Sequence, residues 1–97
     1  MDNRQSYETL YIVDLALGEE GIAAMIEKFK TLIEQNGEIV ETNEWGKRKL
    51  AYPINDKPEG YYVLVKFNAV AGFTSELERV FNITEGIMRS IVVKTEA

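Results

Sequence analysis

An α+β sandwich is what this sequence predicts: a four-stranded antiparallel sheet with two helices on one face. Three observations carry the prediction. Four stretches alternate apolar and polar residues or are rich in Tyr, Ile and Val, and two repeat apolar residues at helical spacing. Their order along the chain is β-α-β-β-α-β. Gly and Pro sit at punctuation points, and no linker or repeat divides the 97 residues, so 1–97 reads as a single domain. Residues 1–6 and 95–97 are expected to be flexible ends.

The first strand, β1, is expected at about 7–13, YETLYIV, because Tyr, Thr, Ile and Val suit a pleated surface. Tyr7, Thr9, Tyr11 and Val13 share one face; Glu8, Leu10 and Ile12 share the other. The first helix, α1, is expected at about 19–36. Ile22, Met25, Ile26, Phe29, Leu32 and Ile33 form one stripe, with Lys28, Lys30, Glu34 and Gln35 opposite. Glu19 and Glu20 suit its positive N-terminal end, and Gly37 is expected to stop it in a left-handed conformation. Strands β2 and β3, about 38–52 and 60–68, form a long hairpin. Gly46 marks a bulge in its first arm. Pro53, Asn55, Asp56, Pro58 and Gly60 make up its turn region. The second helix, α2, is expected at about 74–82, with Ser75 and Glu78 at capping-box spacing and Leu77, Val80 and Phe81 as its stripe. Strand β4, IMRSIVVK, closes the order at about 87–94. With right-handed crossovers, this order gives the ferredoxin-like βαββαβ sandwich.

Strand parity assigns the two sheet faces. Lys66 belongs in water, so Tyr62 and Leu64 face outward with it, and Tyr61, Val63, Val65 and Phe67 lie under the helices. An unpaired buried Arg89 would be costly, so Arg89, Ile91 and Val93 face outward and Met88, Ser90 and Val92 inward. Glu8 places Leu10 and Ile12 outward by the same reasoning. The outer face then carries Leu10, Ile12, Tyr62, Leu64, Ile91 and Val93. Such an apolar patch marks a protein-partner surface, unless these are the scattered exposed apolar residues common on any protein.

Composition excludes much chemistry. There is no Cys and no His, hence no disulfide, no thiolate or imidazole metal site, and neither a thiol nucleophile nor the usual acid–base group near neutral pH. No Gly-rich loop opens either helix to cradle a phosphate, and Asp14, Glu19 and Glu20 would repel an anion near the start of α1. No catalytic residue, cofactor or metal is expected, and the hydrolysis of acyl phosphates is not expected either. The longest apolar run is five residues, far short of a membrane helix. Residues 1–6 lead straight into a strand pattern, so no secretory signal is expected and the cytoplasm is the default location.

The net charge of −5 argues against a nucleic-acid binder acting alone. One basic triplet, Lys47-Arg48-Lys49, runs against that trend. It follows Gly46 on the hairpin and reads either as a small phosphate footprint or as protection of an edge strand. Gly60-Tyr61-Tyr62-Val63-Leu64 partly matches an RNA-recognition-motif pattern, with Glu59 where that pattern has a basic residue and Val63 where it has an aromatic one. A stand-alone RNA binder of that kind, or a small-molecule regulatory domain of the same topology, is the alternative reading.

The segment Trp45-Gly46-Lys47-Arg48-Lys49-Leu50-Ala51-Tyr52-Pro53-Ile54 resembles the G-x-R-[RK]-L-A-Y-P-I signature of the bacterial small-subunit ribosomal protein six family. Tyr7-Glu8, Gly60-Tyr61, and Arg89 with Val92-Val93-Lys94 are similar to the family's first, third and last strands, over about residues 7–94. The resemblance implies a non-enzymatic, cytoplasmic ribosomal protein with the ferredoxin-like fold. It also implies a heterodimer with small-subunit ribosomal protein eighteen that binds the central domain of small-subunit ribosomal RNA. A basic partner would supply phosphate contacts that this acidic chain lacks. By the resemblance, Arg48 and Lys49 match the family's basic pair and are the first RNA-binding candidates; Lys47, at a position that varies in the family, is a candidate as part of the basic triplet. Tyr52 is another, or else packs the hairpin; Arg89 meets RNA or partner, or else forms a surface salt bridge.

Overall fold

In the computed structural model, which describes residues 4–54 and 57–95 and only the backbone at 4 and 51–54, β1 spans Arg4–Val13. A single 3₁₀ turn, Leu15–Leu17, leads into α1, Gly18–Asn36. Strands β2, Gly37–Ile54, and β3, Lys57–Val70, form the long hairpin. Helix α2, Gly72–Ile83, precedes β4, Ile87–Lys94. The strands lie in the order β2-β3-β1-β4, and every neighbouring pair is antiparallel. The ends of β1 and β4 meet where the Thr95 amide donates to the Ser6 carbonyl at 2.9 Å.

One apolar core joins both helices to a single sheet face. Tyr7, Tyr11 and Val13 of β1, and Val63, Val65, Phe67 and Ala69 of β3, pack with Ile22, Phe29 and Ile33 of α1 and Phe73, Leu77 and Phe81 of α2. The Phe29 and Phe81 rings stack at 4.3 Å and tie the helices together. Tyr11 lies against both, at 5.5 and 5.1 Å. Thr9 is the buried polar side chain among the described residues, and its hydroxyl donates to the Ile91 carbonyl at 2.8 Å. The Tyr11 hydroxyl is also buried, finds no hydrogen-bond partner among the described residues, and is held neutral because burial pushes its pKa up.

Several local expectations give way. Ser75 and Glu78 do not form a capping box: α2 begins at Gly72, so Ser75 is already helical, and the Thr74 hydroxyl donates to the Ala71 carbonyl instead. The earlier start brings Phe73 into the core. Gly37 is not left-handed. Its φ is −175°, and a Cβ there would fall 2.1 Å from the Asn68 carbonyl oxygen, so close strand approach is what demands glycine. Pro58 and Gly60 lie inside β3 rather than in the turn; Asn55 and Asp56 lie outside the described residues.

Met88 does not face the helices. The register between β1 and β4 slips between Ile12 and Val13, so that Val13 pairs with Ile87 while Ile12 pairs with Arg89. Ile87 enters the core, and Met88 turns toward Ile12 and Gly60.

Candidate functional site

The outer sheet face is built in cross-strand rows. Glu8 stands between Lys66 and Val93, Leu10 between Leu64 and Ile91, and Ile12 between Tyr62 and Arg89. Antiparallel pairing places these side chains side by side, so the six apolar residues assigned outward do share one surface. Ile91 and Val93 are 48% and 44% exposed; Leu10, Tyr62 and Leu64 are half-buried. Glu8 and Lys66 pair at 3.8 Å beside the patch.

Ile12 points outward as parity requires, yet it is buried. A Cβ on Gly60 would fall 2.2 Å from Ile12 Cγ2, and Met88 Sδ lies 3.4 Å from the same point. Ile12 therefore fills the space over a missing side chain and serves as the floor of the patch rather than as a contact. Beside it, Leu10, Ile12, Arg89, Ser90 and Ile91 line a depression of about 240 Å³ between β1 and β4.

The bulge expected at Gly46 brings in a residue to which the sequence assigns no role. The register of β2 against β3 shifts between Glu44 and Gly46, and Gly46 takes φ +82°, a conformation that favours glycine. The extra residue is Trp45. Its ring stacks on Tyr62 at 6.1 Å with planes 11° apart, and it is 43% exposed. The one signal for it in the sequence is a lone Trp next to a bulge glycine.

The basic triplet is divided by the pleat. Lys47 pairs with Tyr61 and Lys49 with Glu59, both on the helix side. Arg48 lies opposite Gly60, on the outer side with Tyr62 and Arg89, and its Nε donates to the Trp45 carbonyl at 3.3 Å. Lys47 pairs with Glu59 at 3.7 Å. Arg48 and Lys49 are exposed and make no ion pair among the described residues. The Tyr52 side chain lies outside the described residues.

On the helix side, Lys47 and Glu44 border a groove of about 520 Å³ floored by Leu15, Ile22, Ile26 and Tyr61. The Tyr61 hydroxyl donates to Glu44 at 2.8 Å, and that bond to a carboxylate raises the Tyr61 pKa. Asp14 binds the Lys57 ammonium and the Ala16 amide, and these partners hold its carboxyl below the usual range. Its charge is thus matched rather than left to repel anions. No group of three acidic side chains that could hold a metal occurs among the described residues, nor is any helix there long and apolar enough to cross a membrane. The arrangement offers binding surfaces: an apolar and aromatic sheet face, and a basic hairpin at one end of it.

The chain is similar to known proteins over nearly its whole length. Residues 6–94 match the family model described as ribosomal protein S6. A small ribosomal subunit protein bS6 from Thermoanaerobacter pseudethanolicus is 53% identical over 93 residues, 95% of this chain and 98% of that protein. The bS6 of Clostridium novyi is 55% identical over the same shares. A crystal structure of 30S ribosomal protein S6 from Thermotoga maritima superposes with a TM-score of 0.90 at 29% identity, covering 95% of this chain and 88% of that one.

Proposed function

The chain belongs to the ribosomal protein S6 family, and from that premise we propose that it binds the central domain of small-subunit ribosomal RNA as a heterodimer with small-subunit ribosomal protein eighteen. It is a structural, non-enzymatic constituent of the bacterial small ribosomal subunit and works in the cytoplasmic ribosome. In this reading the outer sheet face receives the protein partner, and the hairpin carries the phosphate contacts through Arg48 and Lys49. Lys47 and Arg89 border those contacts.

The observation that supports the reading most strongly is the separation of the two chemistries. The apolar row Leu64–Leu10–Ile91 lies at mid-sheet, where a protein surface can cover it. Arg48 and Lys49, exposed and without an ion pair among the described residues, lie on the hairpin beyond Tyr61. A chain of net charge −5 with a single basic triplet gains little from counterion release alone. A basic partner that docks beside the hairpin would add its phosphate contacts to those of Arg48 and Lys49.

Gel-shift titration of a central-domain RNA at physiological salt tests this, using the isolated chain, the basic partner and the pair. The pair should bind specifically, and the isolated chain weakly or not detectably. Sub-micromolar binding by the isolated chain would instead favour a stand-alone RNA-recognition-motif mode with bases stacked on Tyr62 and Trp45.

A further inference from the structure

We propose that Asp14 is a positioning residue that fixes the pose of the β2–β3 hairpin on the body of the domain. Its consequence for RNA rests on the function proposed above; its consequence for the hairpin does not.

The need for such a residue follows from the register. β1 ends at Val13, opposite Tyr61. Beyond that point the pairs Arg48–Gly60, Lys49–Glu59 and Ile54–Lys57 belong to a two-stranded ribbon with no third strand beside it among the described residues. Two strands alone are marginally stable in water. The ribbon nevertheless carries Arg48 and Lys49, whose usefulness to a rigid RNA depends on where they are held.

Asp14 sits at the point where the ribbon leaves the sheet. Its amide donates to the Gly86 carbonyl at 2.8 Å, which ties it to the start of β4. Its Oδ1 accepts the Ala16 amide at 2.9 Å as the cap of the 3₁₀ turn. Its Oδ2 holds the Lys57 ammonium. Asp14 is thus fixed from the body side by two contacts, one through its amide and one through its carboxylate, and the third reaches a cation at the turn end of the ribbon's returning strand. The pair is partly buried, with side chains 20% and 44% exposed, so solvent screens it less than a fully exposed pair. A carboxylate held in place before the cation arrives loses little freedom on pairing, which is the condition for an ion pair to fix a geometry.

Asp14→Asn isolates this role, because Asn caps a helical turn about as well as Asp but carries no charge. Lys57→Met removes the pair from the other side and leaves the cap intact. Both are made in the full chain. Amide hydrogen exchange is read at 47–50, 57, 59 and 60, with 7–13 of β1 as the internal control, and RNA titration of the heterodimer is run alongside. In each variant the ribbon amides should exchange about two- to fivefold faster, the range an ion pair of this exposure supplies, with the β1 control unchanged. The double variant should be no worse than either single one, since both remove the same interaction. RNA affinity of the pair should fall by a similar factor. If ribbon exchange matches the native chain in both variants, the positioning role is overturned whatever the RNA titration shows. If the ribbon loosens while RNA affinity holds, and Arg48→Ala with Lys49→Ala also leaves RNA affinity unchanged, the positioning role stands and the RNA reading of the hairpin is what fails.

Discussion

The Trp45 indole lies flat against the Tyr62 ring, 6.1 Å between centroids and 11° between planes, and the stack depends on the bulge at Gly46. Trp45 is the extra residue of that bulge, which keeps both it and Gly46 on the outer side before Lys47 returns to the helix side. It is also the lone Trp of the chain, which makes its fluorescence a direct reporter of this face.

Gly46→Ala tests the dependence. At φ +82° a Cβ meets its own backbone, although nothing else lies within 4 Å of it. The expected cost is about 1–2 kcal/mol of stability, read by denaturant unfolding. The Trp45 emission should change together with the loss of the stack, and partner affinity should fall. An unchanged spectrum and unchanged stability would show that the bulge does not hold the indole.

Leu64→Asp tests the outer face as the protein dock. Leu64 pairs with Leu10 on the solvent side of the sheet, so a carboxylate there stays hydrated in the free chain and stability should change by less than about 1 kcal/mol. Calorimetry of partner binding should show a loss of about 2 kcal/mol or more, because docking would bury that charge unpaired. Normal partner binding by a folded variant would assign the patch another use.

The faces can be read from sequence where a charge flags each strand. Lys66, Glu8 and Arg89 each force their neighbours' parity, and all three strands take the expected faces over those residues. Met88 escapes because a register slip at Ile12 and Val13 breaks alternation without leaving a glycine or proline as a sign. The basic triplet looks like a single patch because consecutive letters look adjacent. In a strand, alternation sends Arg48 to one face and Lys47 and Lys49 to the other. The start of α2 is hidden because Gly72 and Thr74 are weak helix formers, and the burial of Phe73 overrides their propensity. The part played by Asp14 cannot be read at all, since Lys57 is remote in sequence and only the closed sheet brings the two together.

Tyr11→Phe should stabilise the fold. The Tyr11 ring is wholly buried between Phe29 and Phe81, whereas its hydroxyl is buried without a partner among the described residues. Removing that group keeps the packing and relieves a desolvation cost, so unfolding free energy should rise by about 1 kcal/mol. A fall of that size would mean that the hydroxyl is satisfied in solution.

The Asp14 carboxyl predicts a specific acid response. Its pKa is lowered in the folded chain by Lys57 and by the Ala16 amide. The stability it contributes is therefore complete above the unfolded value, about 3.9, and is lost as pH falls through the lower folded value. Asp14→Asn should be less stable than the native chain at pH 7, by up to about 1 kcal/mol. The two should converge as pH falls below that folded value. A constant difference across that range would assign the loss to packing rather than charge.

The claim that the hairpin supplies phosphate contacts to a shared RNA site is tested most directly by salt dependence. The preformed heterodimer is titrated with central-domain RNA over a range of salt, carrying either the native chain or Arg48→Ala with Lys49→Ala. Every phosphate that is no longer neutralised should flatten the plot of log affinity against log salt by about 0.7–0.9, so removing both cations should flatten it by up to about 1.8. Partner binding should be unaffected, because neither side chain belongs to the Leu64–Leu10–Ile91 row. A slope equal to that of the native pair would contradict the assignment and place the phosphate-binding cations elsewhere.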